Sequence, residues 1–202
     1  MRVEEGGETP PSCLIWIIIM LYNPDKDDRK TIRLKGYDYA QNGAYFVTIC
    51  IKNKECILGE ILDGKIFVSD IGERIQSVWN VLPEHYPHVE LDQFVVMPNH
   101  MHGIVVILND KGEATPPLRK CTLGQIVAYF KYQTTKQINQ ICNTPGVPVW
   151  QRNYFDRIIR NEAELTHIRR YIVNNPLKWL LDKENPDGKP DEDEKKFWKE
   201  FS

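Results

Sequence analysis

Residues Val95–Leu108 read VVMPNHMHGIVVIL. Within and beside this stretch lie two apolar runs, Val89–Met97 and His102–Leu108, separated by Pro98-Asn99, and both have strand character. In an extended chain successive side chains alternate faces, so His100 and His102 project together while Met101 turns to the other side. Two imidazoles on one face of a nearly all-apolar strand either bind something or form a hydrogen-bonded pair at a sheet end. Neutral imidazole is a common transition-metal ligand, so the pair can supply half of a divalent-metal site. Two ligands are too few, and a third oxygen or nitrogen donor must come from elsewhere.

Working outward, Ala44–Ile51 (AYFVTICI) is a β-branched and aromatic strand. Cys56–Val68 (CILGEILDGKIFV) reads as two short strands around an Asp-Gly turn. Ser69–Leu82 begins with a Ser cap and repeats Ile71, Ile75, Val78, Trp79 and Leu82 at helical spacing. Asn109–Pro117 is a polar loop, and Thr122–Ile141 is a second helix with Leu123, Ile126, Val127, Phe130 and Ile138 as its buried stripe. After the break Asn143–Pro148 and the segment VWQRNYFDRIIR comes a third helix, Glu162–Val173, ended by NNP. Strands, helix, strands, helix, helix is the order of an α+β sandwich with a largely antiparallel sheet and helices mainly on one face.

Composition bounds this reading. At 202 residues, 42% hydrophobic and 27% charged, the chain suits one domain with a proper core, and disorder is not its default state. Between Arg119 and Lys178 there are ten Lys/Arg against three Asp/Glu, a local +7 in a chain whose net charge is −2. That concentration suits a polyanion-binding surface or, as readily, solvated helix faces. Five cysteines (13, 50, 56, 121, 142) form no CxxC pair, which disfavours a disulfide framework and fits a reducing cytoplasm. Cys50 and Cys56 lie in or beside apolar runs and are expected in the core. The run Leu14–Tyr22 is nine residues long, far short of the roughly 20 a membrane-spanning helix needs, and lacks the features of a signal peptide. Residues 1–19 are expected to be an upstream extension, with translation starting naturally at Met20; an edge strand or oligomer contact is the rival. The expected organisation is therefore 1–19 extension, 20–181 domain and 182–202 acidic, loosely held tail, with no membrane association.

The third helix carries ELTHIRRYIVNNPLKW, in which Tyr171 and Asn175 are four apart and share a face. An amide oxygen near the helix end can serve as a hard ligand beside two imidazoles, and a tyrosine one turn away could reach what a metal polarises. Spacing alone does not single out Tyr171 among nine tyrosines. His85, His88 and His167 read as surface residues.

PNHMHGIVVI, the VWQRNYFDRIIRNE segment and the RRYIVNNPLKW helix end, in this order, resemble the REP-associated tyrosine transposases of the single-tyrosine HUH transposase superfamily. The likeness runs from about Leu34 to about Leu181. It implies a ferredoxin-like core with the His pair on a central strand, His100, His102 and Asn175 as ligands of Mg²⁺ or Mn²⁺, and Tyr171 as the nucleophile. It implies cleavage and strand transfer of single-stranded DNA at hairpin-forming repeats through a 5′-phosphotyrosine, in a bacterial, nucleoid-associated setting. A free phenol ionises near pH 10, so Tyr171 would need help from the metal, nearby arginines or a base. Lys131, Lys136, Arg152, Arg157, Arg160, Arg169 and Arg170 are candidates for phosphate contact, and Trp150, Tyr154 or Phe155 for base stacking. The alternatives are a hairpin-binding protein without turnover and a metal-dependent nuclease using activated water. Monomer and homodimer stay open.

Overall fold

The apolar run at Ala44 forms the strand at the centre of the molecule. In the computed structural model, which describes residues 37–108 and 121–189, β1 spans Gly43–Cys50 and its last six residues are buried. The Asp63-Gly64 turn has both residues at positive φ, 51° and 71°, and joins β2 (Gly59–Leu62) to β3 (Lys65–Val68) in a separate two-stranded hairpin. Such a turn matches the twist of the flanking strands, and glycine enters it without a Cβ penalty. Helix α1 (Asp70–Asn80) starts where the Ser69 hydroxyl accepts from Gly72 N–H, and a short α2 (Leu82–His85) follows. Strands β4 (Val89–Val96) and β5 (His100–Ile107) pair antiparallel. Helix α3 (Leu123–Ile141) is closed at its start by a reciprocal Thr122–Gln125 capping box. Strand β6 (Phe155–Ile159) leads to α4 (Glu162–Asn174), capped by Asn161, and a 3-10 turn over Pro176–Leu181.

The main sheet has the order β4-β5-β1-β6, with every neighbouring pair antiparallel. With α1 between β1 and β4 and α3 between β5 and β6, this is the βαββαβ arrangement of a ferredoxin-like sandwich. Helices α1 and α3 cover one face: Trp79 packs on Phe130 and Phe94, with ring centroids 5.4 and 6.1 Å apart. Gly103 of β5 lies directly over this indole, since a Cβ there would come within 2.4 Å of Trp79 Cζ2. Helix α4 covers the opposite face, where Ile168 and Ile172 join Phe46 and Ile104 in a buried cluster. Each of those two isoleucines contributes about 1.5–3 kcal/mol by leaving water. A bidentate pair between Arg169 and Asp92 of β4 also fastens α4, at 2.9 Å from Nε and 2.5 Å from Nη2.

Three expectations differ from the structure, and one strand has no counterpart in the sequence pattern. Strand β6 pairs with the edge of β1, Thr48 opposite Phe155 and Ala44 opposite Ile159. Cys56 is exposed rather than in the core, because it falls in the connection before β2, whereas Cys50 on β1 is buried. Trp150 is not a stacking platform: it is buried, with Nε1–H donating to Thr134 Oγ1 at 2.8 Å. The boundary at Asp182 falls inside folded chain, since Asp182, Glu184 and Asn185 are all buried. The N-terminal extension with its Leu14–Tyr22 run, the loop at Asn109–Pro117 and residues 190–202 lie outside the described residues. Among the described residues no helix is long and apolar enough to cross a membrane.

Candidate metal centre and tyrosine helix

The alternation of β5 brings both imidazoles to the α4 face, fully buried, with Nε2 of His100 and Nε2 of His102 3.1 Å apart. Their outer nitrogens are fixed from behind. Asn99 donates through Nδ2 to the carbonyls of Lys54 and Glu184, at 3.1 and 2.7 Å, which orients its Oδ1 toward His100 Nδ1 at 2.8 Å. An amide oxygen can only accept, so His100 carries its proton on Nδ1 and a lone pair on Nε2. The Thr48 hydroxyl, 2.9 Å from His102 Nδ1, can hold the second ring in the same tautomer. Two lone pairs facing each other at this distance repel unless a proton or a cation lies between them.

Two further observations favour a cation. Asp182 brings a buried carboxylate, Oδ2, to 3.7 Å from His100 Nε2, and the His100, His102 and Asp182 ligand atoms all fall within 4.8 Å of one another. Asn175, at the end of α4, hydrogen-bonds the Asp182 side chain, yet its own Oδ1 is buried with no partner. A buried acceptor without a donor costs about 1–3 kcal/mol, a deficit a cation would relieve. The 3.1 Å spacing of the imidazole nitrogens also suits neighbouring ligands at metal–nitrogen distances of about 2.0–2.1 Å. Burial pushes the His100 pKa down to about 3, and burial with the neighbouring His100 holds His102 well below its ordinary value. Both rings are therefore neutral, the form that binds metal. The cluster can hold a metal ion.

Tyr171 stands beside this cluster. Its ring lies 5.2 Å from the His102 ring and 6.0 Å edge-on from Phe46, and Phe46 itself stacks on His102 at 5.3 Å. Helix α4 positions it: Ile168 and Ile172 lock the helix to the sheet, which leaves Tyr171 on the flank that faces the histidines. The helix ends at Asn175 because Pro176 has no N–H to continue it. His100, His102, Tyr171 and Asn175, distant in sequence, thus converge on one end of one sheet face. Two members were not found in the sequence. Asn99 was signalled only by its place within PNHMH, and Asp182 was hidden in an acidic stretch that looks like tail.

An uncharacterized protein of Haemophilus influenzae is 40% identical over 173 residues, covering 80% of this chain and 95% of its own length. A second H. influenzae protein, provisionally named a REP-associated tyrosine transposase, is 25% identical over 150 residues, covering 70% of this chain and 74% of its own. No family model matches the chain. Among solved structures, a REP-associated tyrosine transposase bound to a REP hairpin has 20% identity and a TM-score of 0.48, covering 73% of this chain and 74% of that one. A provisionally named transposase from Deinococcus radiodurans has 18% identity and a TM-score of 0.43, covering 70% and 95%.

The basic residues singled out in the sequence divide between internal and exposed positions. Several are used within the protein. Lys131 donates through Nζ to the carbonyls of Gln151, Asn153 and Arg152 at 2.6, 3.0 and 3.4 Å, and burial lowers its pKa to about 8. Arg157 pairs with the buried Glu164 at 2.6 Å, and Arg169 with Asp92. Lys136, Arg152, Arg160 and Arg170 are exposed. Arg170 alone of these lines a pocket beside Tyr171, together with His167, Asn174 and Lys178.

Proposed function

We propose that this protein cleaves and rejoins single-stranded DNA at hairpin-forming repeats, with Tyr171 as nucleophile. The observation that carries the proposal is the convergence of two neutral, outwardly fixed imidazoles with a tyrosine ring 5.2 Å away on one sheet face. The likeness to a protein provisionally named a REP-associated tyrosine transposase supports the substrate class. His100, His102 and Asn175, joined by Asp182, would hold Mg²⁺ or Mn²⁺, which supplies Lewis acidity toward a phosphodiester when bound. Asn99 and Thr48 keep both ring lone pairs directed inward, a supporting role that fixes ligand orientation.

Tyr171 Oη gives up its proton and attacks phosphorus. The P–O3′ bond breaks, its electron pair leaves with O3′, and O3′ takes up a proton. The products are a 5′-phosphotyrosine and a free 3′-hydroxyl, with the phosphodiester bond conserved as a phosphotyrosine ester. A different 3′-hydroxyl attacking that ester runs the same exchange backwards, restores Tyr171 and joins new strands without ATP. The packing of Tyr171 against Phe46 and His102 holds the ring beside the histidines, and holding a nucleophile in place favours attack over random encounter.

End-labelled hairpin oligonucleotides from repeats flanking the gene, incubated with protein and Mn²⁺ or Mg²⁺, test this on denaturing protein gels. A labelled adduct is expected with the unaltered protein and none with Tyr171→Phe or His100→Ala. Cleavage persisting in Tyr171→Phe would replace the tyrosine with activated water. Hairpin binding without an adduct under either metal would make the protein a binder without turnover.

A further inference from the structure

The cations around α4 fall into two groups. Arg157 and Arg169 are matched by Glu164 and Asp92. Arg170 and Lys178 have no ion pair and no side-chain hydrogen bond among the described residues, although both sit within a few residues of the tyrosine. With His167 and Asn174 they follow a three-and-four-residue spacing along α4 into the 3-10 turn, and so share one stripe. Together with Tyr171 they line an open pocket of about 160 Å³. Tyr171 thus has two sides. Its ring meets His102 on one, and the other opens onto two uncompensated positive charges.

Selective pairing of this kind carries information. Among the described residues Arg157 and Arg169 each have a carboxylate partner, whereas Arg170 and Lys178 beside the tyrosine have none. An anionic ligand is the natural complement: Arg170 offers a forked donor set suited to phosphate oxygens, Lys178 a mobile point charge, and Asn174 a neutral polar side chain. The proposed cleavage leaves one strand joined through its 5′-phosphate to Tyr171, so that strand must leave the tyrosine on its open side. Resting on that reading, we infer that the pocket binds the first phosphate 3′ of the scissile phosphodiester, on the strand that stays attached to Tyr171. Arg170 and Lys178 are positioning residues there. They hold the attached strand in register until an incoming 3′-hydroxyl arrives, and they contact backbone, so they add no base preference.

The test pairs a protein change with a DNA change. Oligonucleotides carrying a single neutral methylphosphonate at successive positions are assayed for binding and adduct formation with unaltered protein and with Arg170→Gln/Lys178→Gln. Both residues are exposed, and matching thermal melts check that the fold is kept. In unaltered protein, the neutral linkage at the first position 3′ of the cut is expected to weaken binding about tenfold and slow adduct formation; in the double variant it should have no further effect. The slope of log affinity against log salt should fall by about 0.7 in the double variant, one single-strand phosphate contact. If both proteins form adduct and respond alike at every position, the pocket assignment is overturned and the cleavage reading stands. If unaltered protein forms no adduct on any unmodified strand, both are overturned.

Discussion

Replacing Asn99 by Ala isolates the feature that orients the metal centre. Asn99 is fully buried and makes three side-chain hydrogen bonds: two donated, to the carbonyls of Lys54 and Glu184, and one accepted from His100 Nδ1–H. Alanine leaves all three partners without it. The Lys54 carbonyl is only partly buried and can turn to water, whereas the Glu184 carbonyl and the His100 ring cannot. At about 1–3 kcal/mol for each of these two buried groups left unsatisfied, the loss is roughly 2–6 kcal/mol, a large share of a domain's typical 5–15 kcal/mol. Urea unfolding followed by tryptophan fluorescence, with m of about 2 kcal/mol/M, would show the midpoint falling by roughly 1–3 M. Metal binding should weaken by about 10–100-fold, because the His100 tautomer is no longer held. A midpoint shift below about 0.5 M, worth about 1 kcal/mol at that m, would refute the buried-bridge argument. An unchanged Mn²⁺ titration would refute the claim that Asn99 orients a ligand.

Three further outcomes follow from the packing. Tyr171→Phe keeps the ring contacts with Phe46 and His102, so thermal stability should stay within about 0.5 kcal/mol while adduct formation is lost; a large drop in melting temperature would mean the hydroxyl is structural. Gly103→Ala places a Cβ within 2.4 Å of the Trp79 ring, which is almost fully buried, and should cost about 1–3 kcal/mol in chemical denaturation. A neutral result there would show that the layer under β5 yields. The Arg169 hydrogen bonds hold the Asp92 carboxyl below its ordinary 3.8, so the pair's contribution is complete above that pH and fades as pH falls below it. With Arg169 39% exposed, that contribution is about 1 kcal/mol at most. Unfolding midpoints of Asp92→Asn and unaltered protein should therefore differ at pH 7 and converge toward pH 3, and a gap that widens in acid would contradict the assignment.

What the sequence revealed depended on periodicity. His100 and His102 were visible because a two-residue repeat in a strand fixes which side chains share a face. The stripes of α1 and α3 were visible because Ile71, Ile75, Val78 and Trp79, and Leu123, Ile126, Val127, Phe130 and Ile138, recur at helical spacing, and all are buried. Strand β6 was not visible. It is five residues long, with Asp156 and Arg157 interrupting its apolar pattern, and β1 rather than its own composition makes it a strand. Asp182 escaped for a related reason. Its burial depends on the 3-10 turn folding the chain back over His100, a long-range event that no local pattern records. Lys131 and Trp150 looked like surface chemistry by residue type, and each proved to be tied to neighbouring structure across a loop.

The two halves of the proposed ligand set differ in how freely they can adjust. His100 and His102 sit on a strand buried along nearly its whole length, backed by Trp79 beneath Gly103 and held at their outer nitrogens by Asn99 and Thr48. They act as a caliper with a set opening of 3.1 Å. Asn175 and Asp182 lie at either end of a single 3-10 turn, outside any sheet and linked to each other. If this site binds a metal as proposed, a change in ionic radius would be absorbed by that turn rather than by the strand, and discrimination between cations of different size would rest on Pro176–Leu181 more than on the histidines themselves.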